Sequence, residues 1–386
     1  MTIKDHIKHR FAAIYNTPPV SVYFSPGRVN LIGEHIDYHG GLVLPVALSI
    51  GTYGAYSLRD DDEIRLYSTG YSDYPITINL GDLSKDSFTG WANYVRGVFS
   101  VLQDEGYKIP HGLNLYLESD MPTSGGLSSS SSLELLIIKM LNDIFDFRID
   151  QTKMALLGKK VENEYIGVLT GIMDQFVIAN GKKNHALLLN THTLKFDYIP
   201  LDLKNYQLVI VNTNKRRGLA ESKYNERWNE TMGALKTLQQ HYKVNNLTEL
   251  TSKDLPKIET MLDPLLFRRV RHIITEQERT LESAKLLKEG NIEQFAKLLT
   301  ASHNSLRDDY EVTGLELDTL VLLLRETGAI GARMTGAGFG GCAIAIVPRE
   351  QVKKQAPLVI DLYKKVIGYN PSFFESGSSD GTHELE

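Results

Sequence analysis

Two hydrophobic rhythms run along the chain and divide it into predicted elements. Ile3, Ile7, Phe11 and Ile14 recur at helical spacing, so the opening segment to Tyr15 reads as an amphipathic helix. After Pro18-Pro19 the rhythm shortens. VSVYFS, GLVLPVAL, GTYGAYSLR and EIRLYS read as strands set apart by Gly and Asp, and HGLNLYLES as one more. A serine cluster then runs into LELLIIKMLNDIF, a helix so apolar that it must be largely buried. Another helix is expected over 151–169, and ALLLNT with LKFDYIPL as a closing hairpin.

A new unit begins near residue 205 with the strand YQLVIVNT. Long polar helices follow over 220–241 and 264–288. In the second of these, RRVRHIITEQERTLESAKLL reads as an exposed amphipathic helix whose charges form a solvated face. The helix LDTLVLLLRET leads to a Gly-rich loop and the strand CAIAIVP. There is no internal repeat and no steady βαβ rhythm, so the pattern points to α+β and not to a doubly wound sheet. At 386 residues the chain exceeds the usual reach of one hydrophobic core, which suggests two domains.

Composition narrows the function classes. A net charge of −5 gives no basic footprint for nucleic acid. With one cysteine, Cys342, an intrachain disulfide is impossible and a cysteine-based zinc site is disfavoured. MTIKDHIKHRFAAIYN lacks the apolar stretch of a signal peptide, and the longest apolar runs are too short to span a bilayer. The expectation is a soluble, cytoplasmic protein without membrane or nucleic-acid partners.

Four stretches could carry chemistry. In GEHIDYH, His35, Asp37 and His39 alternate as metal ligands could, but carboxylates with Arg28 nearby suit a hydroxyl-rich ligand at least as well. TSGGLSSSSSLELL puts a Gly-Gly turn and a run of hydroxyls at the start of a buried helix. Unpaired amides there attract phosphate, and serine oxygens suit Mg²⁺. One serine is expected to cap that helix as well. GARMTGAGFGG matches GxGxxG in form, yet the dinucleotide fingerprint needs a strand before it and a helix after it. Here a helix precedes and a strand follows. In GIMDQF, Asp174 is either a helix cap or a partly desolvated carboxylate able to accept a proton.

Taken together, these stretches resemble one family. PGRVNLIGEHIDYHGGLVLP resembles the N-terminal signature of galactokinases. GGLSSSSSLE and GARMTGAGFGGC resemble the second and third motifs of the wider group of galactokinase, homoserine, mevalonate and phosphomevalonate kinases. TGIMDQF, NTNKRRGLAESKYNER and SDGTHEL are similar to galactokinase segments too, all in the family's order.

The resemblance implies two α+β domains, 1–200 and 201–386, with the active site in the cleft between them. It implies ATP-dependent phosphorylation of the C1 hydroxyl of α-D-galactose, the first step of galactose catabolism, by a monomer. Glu34, His35, Asp37, Gly171 and Tyr224 would bind the sugar. Asp174 would be the base, with Arg28 beside it keeping it ionised and stabilising the transferring phosphoryl group. Ser124, Gly125, Gly126, Leu127, Ser128, Ser129 and Ser130 would wrap the ATP phosphates, Ser130 and Glu162 would hold Mg²⁺, and Ser68 would lie near the nucleotide. No role falls to His39. Ser131, where relatives often have alanine, is expected to touch no catalytic group. Two other readings on this fold are an N-acetylgalactosamine kinase and a non-catalytic galactose sensor. A metal-dependent hydrolase built on GEHIDYH is a third.

Overall fold

A six-stranded and a four-stranded sheet, each packed against helices, carry the fold, and a three-stranded sheet lies beside them. The computed structural model describes residues 1–122, 126–168, 170–215 and 220–386. The first half runs α1 (Ile3–Tyr15), β1 (Ser21–Asn30), β2 (Leu42–Val43), β3 (Pro45–Leu58), β4 (Glu63–Ser68), β5 (Ile76–Asn79), α2 (Ala92–Asp104) and β6 (Leu113–Ser119). It continues with α3 (Ser129–Ile144), α4 (Gln151–Lys160), α5 (Met173–Asn180), β7 (His185–Asn190) and β8 (Phe196–Pro200).

The second half runs β9 (Tyr206–Asn212), α6 (Ala220–Leu238), α7 (Leu255–Ile258), α8 (Pro264–Lys288), α9 (Ile292–Asp308), α10 (Leu315–Glu326), β10 (Gly331–Thr335) and β11 (Cys342–Pro348). It ends with α11 (Arg349–Ile367), β12 (Ser372–Glu375) and β13 (His383–Glu384). The large sheet is ordered β13-β1-β3-β6-β4-β5, so the last strand returns to the first; the second is β10-β11-β9-β12. Among the described residues no helix is long and apolar enough to cross a membrane.

Local sequence explains most of these elements. Thr2 and Asp5 form a capping box that starts α1, which buries Ile7 and Phe11 against the first sheet. In α3, Leu135, Leu136, Ile137, Ile138, Met140 and Leu141 are all buried, as an all-round apolar helix requires. Strand β11 shows the period of two. Cys342, Ile344 and Ile346 face a core shared with Val29 of β1 and with Leu31 just after it, while Ala343, Ala345 and Val347 face the second core. The two halves are therefore joined by packed side chains.

Four expectations need correction. GLVLPVAL and GTYGAYSLR do not form one strand each: β2 takes Leu42–Val43, and β3 runs from Pro45 on through GTYGAYSL, with Gly51 paired to Pro26 beside an irregularity where Leu48, Ser49 and Ile50 of β3 oppose Gly27 of β1. The helix expected over 151–169 stops at Lys160, and Val161–Ile166 form a π turn closed by the left-handed Gly167. The Gly-rich segment does not follow a helix directly. GARMT is a strand, β10, paired antiparallel with β11, so the glycines cap a hairpin. Finally, the charges of α8 are not all solvated: Arg269, His272 and Glu276 are buried.

Candidate active site

The segment after β1 is held in place by polar groups from three directions. Glu34 is 3% exposed, and its Oε2 accepts from Arg333 Nη2 at 2.6 Å and from Asn30 Nδ2 at 3.1 Å. Its Oε1 accepts the Gly336 amide at 2.9 Å. Burial pushes this carboxyl up, against the pull of Arg333 and Arg28. All three partners are donors, so they favour the carboxylate form. Arg333 also donates to Leu31 O at 2.7 Å, and Thr335 Oγ1 to Asn30 O at 3.0 Å. Strand β10 and its loop thus back the whole segment. The loop in turn folds tightly on its neighbour: at Gly338 (φ 82°) a Cβ would lie 2.1 Å from Val312 O.

Helix α8 holds the same segment from another side. Glu276 Oε1 accepts from the Gly33 amide at 3.0 Å, the Glu34 amide at 3.3 Å and Ser302 Oγ at 2.7 Å. Burial pushes its carboxyl up, but Arg279, His272 and Arg333 outweigh that and bring it to about 2. His272 Nε2 donates to Glu34 O at 3.1 Å.

His35 is left-handed (φ 62°) and 4% exposed. Its Nε2 donates to Ala337 O at 3.1 Å, so Nδ1 is left to accept from the Tyr38 hydroxyl at 3.2 Å. Tyr310 in turn bonds Tyr38 through their hydroxyls, and the Tyr224 ring lies 5.5 Å from that of His35. Asp37 lies against Gly171, where a Cβ would stand 2.1 Å from Asp37 Oδ2. Burial, and then the charge of Asp174, pushes the Asp37 carboxyl up to about 6. His39 points away, bonding Thr231 Oγ1 at 2.8 Å. The residues of GEHIDYH that alternated like metal ligands do not converge.

Asp174 occupies the first turn of α5, where Ile172 is the cap, so it is not a capping residue. Arg28 grips it with two nitrogens, Nε to Oδ1 and Nη2 to Oδ2, each at 2.7 Å, and its Nη1 donates to Gly126 O at 2.7 Å. Ser128 is the N-cap of α3, but it makes no capping hydrogen bond: its hydroxyl donates to Asp174 Oδ2. The expected serine cap is absent at that position because Asp174 takes the hydroxyl. Ser130 Oγ donates to Glu162 Oε1 at 2.8 Å and Ser131 Oγ to the same atom at 3.3 Å. Ser131, expected to be a bystander, therefore touches a proposed metal ligand.

Family models match along most of this frame. The "Galactokinase galactose-binding signature" covers residues 9–58, the "GHMP kinases N terminal domain" 93–182 and "GHMP kinases C terminal" 283–358. The galactokinase of Clostridium perfringens strain 13 is 47% identical over 382 residues, covering 98% of this chain and 99% of that protein. The galactokinase of Enterococcus faecalis V583 is 44% identical over 386 residues, covering 99% and 100%.

The chain belongs to the galactokinase family.

The crystal structure of Lactococcus lactis galactokinase complexed with galactose superposes with a TM-score of 0.94 at 43% identity, covering 100% of both chains. Methanococcus jannaschii mevalonate kinase shares the fold, with a TM-score of 0.68 at 23% identity over 93% of this chain and 98% of that one.

Of the positions the family resemblance singled out, the structure brings Arg28, Glu34, His35, Asp37, Gly171, Asp174, Tyr224, Gly126, Leu127, Ser128, Ser130 and Glu162 into one neighbourhood. The Leu127 carbonyl accepts from the Arg28 amide at 3.1 Å, and Asp37, Asp174 and Glu34 all act on the Tyr224 phenol. Ser129 opens α3 and is exposed. Ser68 ends β4 next to Leu117, and no hydrogen bond among the described residues joins it to the serine loop. Ser124 and Gly125 lie outside the described residues.

Sequence reasoning missed Arg333, Glu276 and His272. One signal was available for the last two. His272, Glu276 and Thr280 are spaced by four on a helix that also buries Val270, Ile273, Ile274 and Leu287, so a polar row faces inward beside the apolar one.

Proposed function

We propose that the protein transfers the γ-phosphoryl group of ATP to the C1 hydroxyl of α-D-galactose, giving galactose 1-phosphate and ADP. The carrying observation is Asp174: Arg28 fixes it with two 2.7 Å bonds, with the Glu34–Asp37 segment on one side and the start of α3 on the other. Asp174 Oδ2 is used by Arg28 and Ser128, whereas among the described residues Oδ1 accepts only from Arg28 and keeps a lone pair for the sugar hydroxyl. Asp174 accepts the hydroxyl proton as the oxygen attacks phosphorus. Arg28 orients the carboxylate and lends positive charge to the phosphoryl group in transit.

Asp37, His35, Glu34 and Tyr224 bind sugar hydroxyls, and Gly171 leaves Asp37 its place. Helix α3 begins without a side-chain cap, so its first amides are available to phosphate oxygens. Gly126, Leu127 and Ser128 support that end, with Ser124, Gly125 and Ser129 completing the wrap and Ser68 nearer the base.

The Ser130 hydroxyl and Glu162 carboxylate are hard oxygen donors that suit Mg²⁺. Burial and the charge of Asp174 push the Glu162 carboxyl up, a penalty that a neighbouring cation relieves. Bound Mg²⁺ supplies neutralising charge for the phosphates. A galactose sensor would not need a gripped Asp174 beside an uncapped α3, and nothing in the site favours N-acetylgalactosamine. The reading includes a monomer in the cytoplasm, a setting that suits a single, buried cysteine.

Phosphate incorporation into galactose, N-acetylgalactosamine and glucose tests the reading, with Asp174→Asn as control. Turnover of galactose that collapses in Asp174→Asn supports it. No transfer by folded wild-type protein contradicts it, and turnover that survives Asp174→Asn removes Asp174 from the role of base.

A further inference from the structure

Behind the start of α3 lie polar side chains that phosphoryl transfer, as described, leaves unused. Glu134 and Gln175 are both 0% exposed. Neither carboxyl oxygen of Glu134 and neither amide atom of Gln175 has a hydrogen-bond partner among the described residues. Glu134 follows Ser130 by one turn on the same face of α3, and Gln175 follows Asp174 on α5.

The Gln175 amide lies near both Glu134 and Glu162, but neither contact closes to a hydrogen bond in this structure. Helix α4 makes room for the pair. At Gly158 a Cβ would lie 2.7 Å from Leu135 Cδ2, 3.1 Å from Gln175 Cγ and 3.6 Å from Glu134 Oε2. Burial, and then the charges of Glu162 and Asp174, push the Glu134 carboxyl well above its ordinary range. In its neutral form that carboxyl has an O–H to donate.

Such a cluster costs stability, and an apolar residue at 134 would pack without that cost. Buried unpaired polar groups in a core call for a use. We propose that Glu134 and Gln175 are positioning residues of the metal side: Glu134 donates to Gln175, and Gln175 donates to Glu162, aiming the Glu162 carboxylate at Ser130. The proposal rests on the kinase reading and extends it to side chains that touch neither sugar nor nucleotide.

Full-length Glu134→Leu, Gln175→Met and Glu134→Gln test it. The readouts are the Mg²⁺ dependence of ADP formation, calorimetric binding of a non-hydrolysable ATP analogue with Mg²⁺ or with EDTA, galactose binding without nucleotide, and the melting temperature. Glu134→Leu should raise the half-saturating Mg²⁺ roughly tenfold, as loss of a ligand-orienting partner does. It should weaken analogue binding with Mg²⁺ but not with EDTA, leave galactose binding intact and not lower the melting temperature. Gln175→Met should act in the same direction. Glu134→Gln should restore most of the Mg²⁺ response, because its amide can also donate.

Wild-type Mg²⁺ dependence in Glu134→Leu overturns the proposal. So does equal damage to Mg²⁺ response, galactose binding and stability, which marks a packing role alone. If Glu134→Leu does not fold, Gln175→Met decides by the same readouts. If the wild type phosphorylates no galactose, the kinase reading fails instead, and the analogue-binding comparison still judges the relay.

Discussion

On the wall proposed for the sugar, both oxygens of Glu34 are bonded and Glu276 holds the neighbouring amides. On the wall proposed for the phosphates, α3 starts without a side-chain capping bond, while the Glu134 carboxyl and the Gln175 amide have no hydrogen-bond partner among the described residues. The difference follows from the ligands proposed for each wall. A neutral sugar of fixed shape is selected by hydroxyl positions, so its wall gains from being rigid beforehand. A polyanion that arrives with a cation brings its own charge, and a wall of free amides and uncompensated carboxyls is completed by it.

The largest effect is expected where the walls meet. Asp174→Asn should lower kcat by ~10²–10⁴-fold, the usual contribution of a placed general base, while galactose still binds. Steady-state kinetics beside calorimetry separates the two.

Next is the sugar wall's anchor. Arg333→Met leaves Glu34 buried without its cation and should cost about 3–5 kcal/mol of stability in chemical denaturation. Adding Glu34→Gln should recover part of that. A double mutant no more stable than Arg333→Met would show that the ion pair is not the anchor.

A third effect is pH-dependent. Asp37 is raised to about 6 from an ordinary value of 3.8, so the folded protein holds this proton to higher pH than the unfolded chain. Its stability penalty is then fully present above about pH 6 and absent below about pH 4. Asp37→Asn should stabilise by about 2 kcal/mol at pH 7.5, and that gain should fade toward pH 4, while galactose affinity drops. An unchanged gain at pH 4 would rule out titration of Asp37 as the cause.

The smallest effect is expected from Gly171→Ala, which pushes Asp37 aside. The galactose KM should rise by roughly tenfold, with the ATP KM little changed.

The two walls also differed in how far the sequence revealed them. The elements came from periodicity, as with β4, β9 and α8, whose bounds the pattern set closely. The catalytic candidates were visible because GEHIDYH, the serine run and GIMDQF concentrate polar groups in short stretches. The supports were not. Arg333 meets Glu34 across 299 positions, and Glu276 meets Gly33 across 243, contacts that no local window contains. Glu276 sits in a helix whose many charges hid the buried ones. The π turn after α4 was missed because its sequence, VENEYI, continues the helical pattern while its backbone places Glu162 beside Ser130.

Amide hydrogen exchange, followed with no ligand, with galactose, and with Mg²⁺ and an ATP analogue, tests the contrast between the walls most directly. Slow exchange at Gly33, Glu34 and Gly336 before any ligand is added is the predicted result, with 126–134 and 160–166 gaining protection only with the nucleotide. Fast exchange at Gly33, Glu34 and Gly336 until galactose arrives would contradict a sugar wall built in advance.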